Sequence, residues 1–276
     1  MSIWDIGYRL VKINHSFDVC LRNGLALSNI NLVALKDLTV LLENDWQIHS
    51  IERNLLGLNK KDGTNITCRI DKGYDFGHLI EIYIEEKYGD KYEGFNVIDV
   101  GMSNGDSSIY FAAKGAKKVV GIEPFTESFN LAVRNIIASG FENRVVPLND
   151  ALSPTTGPTV LLTYEESPNA NSIDESNMVK IEDNENSTKV NGIRLEDIVS
   201  MFNGENVEVL KMDCEGCEYK VLQSVNIETY SNIEKVILEY HNGVQSLPDL
   251  LRKVGYKVAI TGSPDSVGYI SAERKK

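Results

Sequence analysis

Between Val97 and Ser108 the chain reads Val-Ile-Asp-Val-Gly-Met-Ser-Asn-Gly-Asp-Ser-Ser: short β-branched residues, then glycines, small polar residues and acids. Three chemistries can use such a stretch. A dinucleotide fingerprint needs Gly-x-Gly-x-x-Gly, but Ser103 and Asp106 stand at its second and third glycines, and an acid there would repel a pyrophosphate. Gly101-x-Ser103-x-Gly105 also spells the nucleophile elbow of serine hydrolases, with Ser103 as nucleophile. Against that reading, no His-Gly-Gly oxyanion segment precedes it, and Asp99 is a poor occupant of an elbow strand. The third chemistry is a cationic ligand, since Asp99 and Asp106 flank the turn and suit a sulfonium carrying an amino-acid tail. Lys118 to Glu123 then ends in an acid about 20 residues past the first glycine, where a carboxylate accepts bonds from ribose hydroxyls. A nucleoside site needs that acid; a hydrolase elbow does not.

A second cluster follows at Asp213-Cys214-Glu215-Gly216-Cys217-Glu218, and a third at Glu239-Tyr240-His241. Asp213 ends a strand expected to lie beside the first, facing the ligand. Glu215 follows within a turn, and acids at strand ends in such a crevice are candidates for function. Glu218 reads as a solvated acidic helix start. Glu239 and His241 share one face of a strand end, which makes them candidate substrate residues, although a lone His is often only a satisfied polar group. Asp213, Glu215 and His241 are the candidate bases for an alcohol nucleophile. Alternatively Asp213 with Glu239 or His241 could hold a divalent metal that acidifies the hydroxyl, but no metal ligand set is assigned. Cys214 and Cys217 form a Cys-x-x-Cys pair without the further ligands of a zinc site and without the helix-start setting of a thioredoxin motif, so they read as structural or incidental.

The elements that must position these groups alternate strand and helix, the signature of a mostly parallel sheet with right-handed crossovers. Val97–Val100 and Lys118–Ile122 are the first two strands. Ile109, Ala112, Ala113 and Ala116 mark the helix between them, which Asp106, Ser107 and Ser108 can cap. Pro124 breaks the second strand, and Phe129, Ala132, Val133 and Ile136 line the next helix, stopped by Gly140. Arg144–Leu148 is the third strand. Asp150 after it sits at the same carboxyl edge as Glu123, either as an acceptor for an adenine amino group or as a turn residue. Residues 154–192 interrupt the alternation as an insertion or lid, with short strands at Val160–Leu162 and Val179–Ile181. Val207–Met212 and Val236–His241 are the fourth and fifth strands, and Tyr256–Ile260 with Val267–Ala272 form a hairpin that reverses one strand. Ahead of this core, residues 1 to about 45 read as helical stretches and loops, with an amphipathic helix over Asn31–Leu42. Trp46–Ile70 reads as strands around a turn at Asn59–Gly63, and Leu79–Tyr83 lie on a helix ending near Gly89.

The chain has 276 residues, 42% hydrophobic and 25% charged, as expected of a globular α/β protein. Its net charge of −12 argues against general nucleic-acid binding, which needs a basic footprint. No apolar run approaches a membrane span, no signal-peptide pattern opens the chain, and four cysteines make no disulfide framework, so a cytoplasmic setting is expected.

Asp99-x-Gly101-x-x-x-Gly105 followed by Glu123 resembles the S-adenosylmethionine site of class I methyltransferases. Taken with Glu123-Pro124, Ile193-Arg194-Leu195-Glu196-Asp197, Leu210-Lys211-Met212-Asp213-Cys214-Glu215-Gly216-Cys217-Glu218 and Leu238-Glu239-Tyr240-His241, residues 96–275 resemble the FkbM family of those enzymes. The resemblance implies a Rossmann-like seven-stranded, mostly parallel sheet, expected over residues 91–276 with the C-terminal hairpin supplying its reversed strand. Residues 1–90 are expected to form a mixed α/β extension of helix and hairpin, whose first 70 residues have no counterpart in the family. The resemblance implies S-adenosylmethionine as methyl donor and O-methylation of a hydroxyl on a sugar, lipid, glycan or small metabolite. It sets Gly101, Ser103, Gly105, Asp106, Ser107 and Ser108, with Asp99 and Asp213, at the methionine part of the cofactor. Glu123-Pro124 would lie at the ribose and Asp150-Ala151 near the adenine, while Glu81 and Tyr88 would close over the ligand. Glu215, Glu239 and His241 would face the acceptor. Cysteines at 214 and 217, where the family is usually apolar or aromatic, depart from the pattern. The alternatives are a serine hydrolase using Ser103 and a non-catalytic nucleoside-binding protein; the oligomeric state and the role of residues 1–70 stay open.

Overall fold

The computed structural model describes residues 7–13, 16–21, 26–70, 73–162, 172–173 and 187–275. Its centre is a seven-stranded sheet built from β7 (Asn96–Val100), β8 (Lys118–Ile122), β9 (Val145–Leu148), β14 (Val207–Met212), β15 (Ile233–Tyr240), β16 (Tyr256–Gly262) and β17 (Gly268–Arg274). The strand order is β16-β17-β15-β14-β7-β8-β9. The pairs from β15 to β9 are parallel, and β17 runs antiparallel to both β15 and β16. The expected mostly parallel sheet with one reversed strand is therefore present, the reversed strand lying between the fifth strand and the edge.

Side chains alternate across a strand, so each strand divides its apolar residues between two cores. Ile98, Val100, Val120, Ile122, Leu210, Met212, Val236 and Leu238 pack on one face. They meet Leu195 and Ile198 of α5 (Leu195–Ser200), Leu222 of α6 (Cys217–Ser224), Tyr230 of α7 (Ile227–Ser231) and Leu251 of α8 (Leu247–Lys253). Val97, Val119, Val209 and Ile237 face the other way, against Ile109 of α3 (Asp106–Ala113) and Ile136 of α4 (Thr126–Ala138).

That second core continues into the N-terminal part. β4 (Gln47–Glu52), β5 (Leu55–Asn59) and β6 (Asn65–Arg69) form an antiparallel sheet, and Leu56, Leu58, Ile66 and Cys68 join the same apolar cluster. So do Leu35 and Leu38 of α1 (Leu32–Glu43) and Phe76 and Leu79 of α2 (Tyr74–Tyr83). Asn31 caps α1 by accepting from the Ala34 amide at 2.8 Å, which closes one of the open donors at a helix start.

Two expectations change. Instead of helices and loops before residue 32, the described residues are strands β1 (Gly7–Ile13), β2 (Ser16–Leu21) and β3 (Ala26–Asn31) in antiparallel order. Short runs rich in Tyr, Val, Leu, Ile and Phe favour pairing once neighbours are available, and each is too short to nucleate a helix alone. Helix α2 stops at Tyr83, six residues before Gly89. In the 154–192 insertion, β11 (Gly157–Leu162) contains the expected Val160–Leu162 strand. It pairs with β13 (Ser187–Ile193) and β12 (Ser172–Ile173), while β10 (Ala151–Leu152) extends the group; Val179–Ile181 lie outside the described residues.

Candidate active site

At the carboxyl ends of β7, β8, β14 and β15 a cavity of about 190 Å³ opens, where ligands collect in open α/β sheets. The turn after β7 forms its floor. The Gly101 and Met102 amides both donate to the Ile122 carbonyl, at 2.9 and 3.1 Å, which folds the turn back over β8. Gly101 has φ +75°, and a Cβ there would sit 1.9 Å from the Asp213 carbonyl oxygen, so only glycine lets the β7 and β14 ends approach this closely. Gly105 (φ +87°) lies against Ala132 of α4 in the same way, with a Cβ distance of 3.1 Å.

Behind this floor lies a buried ion pair that follows from strand register. Lys211 on β14 is the register partner of Asp99 on β7, and both project to the same face. Lys211 is 2% exposed and Asp99 fully buried, with Nζ 3.0 Å from Oδ1. The ammonium also donates to the carbonyls of Gly101 (2.8 Å) and Val100 (3.2 Å), and the hydroxyls of Ser107 and Ser108 donate to Asp99 Oδ2 at 2.6 Å each. Burial pulls the Lys211 pKa down, but the Asp99 and Asp213 charges outweigh it and hold the lysine above its usual range. One lysine thus fixes both ends of the glycine turn.

Sequence reasoning missed Lys211, although a lysine inside a central apolar strand was the available signal. It also missed Arg69 at the end of β6. The Arg69 guanidinium pairs with Asp75 at 2.7 Å, and donates to Ser103 Oγ (3.2 Å) and Ser128 Oγ (3.0 Å). No spacing signal links residue 69 to residue 103; only the tertiary fold does. Ser103 itself has φ +45°. Its hydroxyl partner is a guanidinium, which donates only and cannot take the serine proton, so Ser103 lacks the activation a hydrolase nucleophile needs.

Of the other residues read from the sequence, Glu81, Asp106, Ser107, Glu123, Pro124, Ala151, Asp213, Glu215, Glu239 and His241 line the cavity together with Gly101 and Ser103. Tyr88 lines it too. Asp99, Gly105, Ser108 and Asp150 do not, the first three lying behind the turn that they support. Glu123 accepts from the Ser103 amide (3.0 Å) and the Phe125 amide (2.8 Å), and burial raises its pKa to about 7. A carboxylate offers about four lone-pair positions, so two remain for ligand hydroxyls. Asp106 is buried at the start of α3, its Oδ2 without a hydrogen-bond partner and 3.8 Å from His78 Nδ1. Burial raises the Asp106 pKa to about 6. An unsatisfied buried carboxylate oxygen, with a second carboxylate at the next strand end, fits a ligand that carries a cationic tail and a ribose.

The wall at the ends of β14 and β15 is acidic. His241 Nε2 lies 3.4 Å from Glu215 Oε2 and 3.6 Å from Glu239 Oε1, and its Nδ1 is buried without a partner. Burial, reinforced by the charges of Asp213, Glu239 and Glu218, raises the Glu215 pKa to about 8. Asp213, Glu239 and His241 bring their donor atoms within 4.8 Å of one another. The positive charge beside them is Lys87, whose Nζ is 2.8 Å from Glu239 Oε2 and 3.0 Å from Glu81 Oε2, above the Tyr269 ring. Burial works against that charge, yet Lys211 and Lys87 together outweigh the burial of Asp213 and keep its pKa below the usual carboxylate range. Tyr88 Oη stands 3.5 Å from Asp213 Oδ2. Glu218 departs from its reading as a solvated residue: it is fully buried, and burial raises its pKa to about 7. Cys214 and Cys217, expected to be structural or incidental and away from a helix start, are joined in a disulfide, and Cys217 opens α6 because Gly216 turns the chain into the helix there.

Comparison with known proteins bears on this arrangement. The family model described as the methyltransferase FkbM domain matches residues 99–258, more than half of the chain. No curated protein matches. Among solved structures, the chain is similar to precorrin-6y C5,15-methyltransferase from Geobacter metallireducens GS-15, at 10% identity over 67% of this chain and 82% of that one, with a TM-score of 0.39. It is similar to ribosomal protein L11 methylase from Lactobacillus delbrueckii subsp. bulgaricus at 14% identity, covering 72% and 79%, with a TM-score of 0.40. It is also similar to a putative RNA methyltransferase from Pyrococcus horikoshii, at 12% identity, covering 87% and 98%, with a TM-score of 0.41. The FkbM match spans the glycine turn, Glu123, the Asp213 loop and His241, and the chain belongs to the FkbM family of S-adenosylmethionine-dependent methyltransferases.

Proposed function

We propose that this methyltransferase methylates a hydroxyl oxygen, with Glu215 as the base and His241 as its proton-sharing partner. The observation that carries the reading is the pairing of a carboxylate whose pKa is raised to about 8 with an imidazole 3.4 Å away, on the cavity wall at the ends of β14 and β15. An alcohol must lose its proton as its oxygen is methylated, and a base with a raised pKa takes that proton more readily than an ordinary carboxylate. S-adenosylmethionine supplies an electrophilic methyl group.

The remaining work falls to the chain. Asp106 would hold the cationic ammonium of the cofactor's amino-acid tail, and Glu123 with Pro124 would hold the ribose. Leu152 and Ala151 cover the apolar end of the cavity beside Ile122. Glu215 receives the hydroxyl proton and His241 spreads the charge. Glu239, pinned by Lys87, orients His241. Aligning the acceptor oxygen with the methyl group accounts for a large part of the rate in such a transfer.

The cavity carries Glu81, Asp106, Glu123, Asp213, Glu215 and Glu239 against two lysines, Lys87 and Lys211, among its described lining residues, and the whole chain has a net charge of −12. This supports a neutral polyhydroxylated acceptor, a sugar, glycan, lipid headgroup or small metabolite, over a polyanion. Arg69, His78, Glu81, Lys87 and Tyr88 all reach the site from residues 1–90, which supports a site-closing role for that N-terminal extension over a methyltransferase domain at 91–276. No helix among the described residues is long and apolar enough to cross a membrane.

The test is transfer of isotopically labelled methyl from S-adenosylmethionine to a panel of neutral hydroxyl acceptors, read by mass spectrometry. The reading expects an O-methyl ether as product, and a Glu215→Gln variant that binds S-adenosylmethionine normally but turns over at least about a hundredfold more slowly. Label on nitrogen, or full turnover by Glu215→Gln, would overturn it.

A further inference from the structure

Cys214 and Cys217 stand on the wall of the cavity, with Glu215 and Gly216 between them, so the disulfide closes a loop around the very residue assigned as base. Glu215 has φ +55° and Gly216 φ +116°. A residue with a Cβ stays in the left-handed region only where its surroundings hold it there. The loop is tied at one end by the Asp213 amide to the Val100 carbonyl and at the other by the start of α6. Between those ends, the described restraints are the disulfide, the 3.4 Å contact of Glu215 with His241, and the Gly216 amide, which donates to Glu218 Oε2 at 3.0 Å.

The surroundings accommodate the opened pair as well as the closed one. Cys214 Sγ lies 3.3 Å from Glu218 Oε2, yet a disulfide sulfur has no hydrogen to donate. Glu218 is fully buried, and its Oε1 has no partner. A Cys214 thiol would donate to Oε2 as a second partner beside the Gly216 amide. Cys217 is the first residue of α6, an eight-residue helix, whose positive end favours a thiolate. Cys214 is partly exposed, and Cys217 is 5% exposed. The accessible sulfur is thus the one to attack and the sulfur at the helix start is the better leaving group.

We infer that Cys214 and Cys217 are a redox-active pair, opened by a dithiol reductant that enters the mouth of the cavity, and that opening releases Glu215 from its place beside His241. The proposal rests on Glu215 being the base. One thiolate of the reductant attacks Cys214 Sγ, the Sγ–Sγ bond breaks, and its electron pair leaves on Cys217. The second thiol of the reductant then attacks its own sulfur in the mixed disulfide and displaces Cys214. Two electrons pass to the protein, the two cysteines take up two protons, and the reductant leaves as a disulfide.

The experiment uses the full chain with dithiothreitol as the probe. Oxidised protein is treated with and without dithiothreitol under native conditions, alkylated and digested with trypsin, and the Met212–Lys220 peptide is weighed. In parallel, methyl transfer and S-adenosylmethionine affinity are measured in both states. The expected result is double alkylation only after dithiothreitol, turnover at least about fivefold lower in the reduced state, and unchanged cofactor affinity. A Cys214→Ala/Cys217→Ala variant should bind the cofactor, turn over at the reduced rate and ignore dithiothreitol. An unlabelled peptide after native reduction, or equal turnover in the two states, would overturn the proposal. Full activity in Glu215→Gln together with a labelled peptide would instead remove the base assignment and leave the redox pair standing.

Discussion

Replacing Lys211 with methionine tests the link between the sheet and the cofactor turn. The substitution keeps most of the volume but strips the ammonium from a fully buried Asp99 and from the Val100 and Gly101 carbonyls. Removing one partner of a buried ion pair costs about 3–5 kcal/mol, because the other charge stays behind. Asp99 keeps its two serine hydroxyls at 2.6 Å, so the low end applies, about 3 kcal/mol. That is a large share of the total stability of about 5–15 kcal/mol in a domain, yet the fold should survive it. Adding Asp99→Asn removes the stranded charge and should restore about 2 kcal/mol, a coupling well outside additivity. Denaturant unfolding of the wild type, both single variants and the double variant gives these values, and cofactor titration should show at least about tenfold weaker binding in Lys211→Met, or about 1.4 kcal/mol. A Lys211→Met cost below about 1 kcal/mol, or strictly additive single variants, would refute the reasoning.

Other outcomes follow from the same geometry. The kcat/KM for methyl transfer should rise about tenfold per pH unit up to about pH 8 and then level, because Glu215 acts as a base only when ionised; Glu215→Gln should abolish that rise, and an unchanged profile would remove the assignment. Glu218, raised from 4.5 to about 7 by burial, binds a proton in the folded state that the unfolded chain has already lost between those pH values. Its contribution to stability therefore falls as pH climbs from about 4.5 to about 7, reaching a cost of about 3 kcal/mol above that window. Glu218→Gln should accordingly be more stable relative to wild type at pH 8.5 than at pH 5 in thermal melts, and a constant difference would contradict the burial argument. Arg69→Lys keeps the charge but loses the forked contact to Asp75 and the bonds to Ser103 and Ser128. It should weaken S-adenosylmethionine binding about tenfold by calorimetry, while equal binding would show that the extension does not support the turn.

The fold was legible because its strands are short, β-branched and punctuated by glycine and proline, and because each crossover helix carries one apolar face. The site was legible where chemistry sits next to chemistry in the chain, as at Gly101–Ser108 and Asp213–Glu218. It was not legible where the contact is made by register or packing. Asp99 looks like a ligand residue in a linear motif, yet its register partner Lys211 turns it into a buried brace. Arg69 and Lys87 come from segments whose local pattern carries no chemistry, and only the shared core brings them to the cavity. Glu218 looked solvated because acids at helix starts usually are, but the α6 start is folded under the Cys214 loop. The strands before residue 32 escaped notice because an isolated run of six or seven apolar and polar residues carries little preference until a neighbouring strand pairs with it.

The central claim is that the Gly101 turn and Glu123 form one S-adenosylmethionine site. Calorimetric titration of the full chain with S-adenosylmethionine tests it most directly, with NADH as control and Glu123→Ala as the comparison. The account predicts micromolar binding to the wild type, at least about tenfold weaker binding to Glu123→Ala, and no heat with NADH. Equal binding by Glu123→Ala, or binding of NADH in place of S-adenosylmethionine, would contradict it.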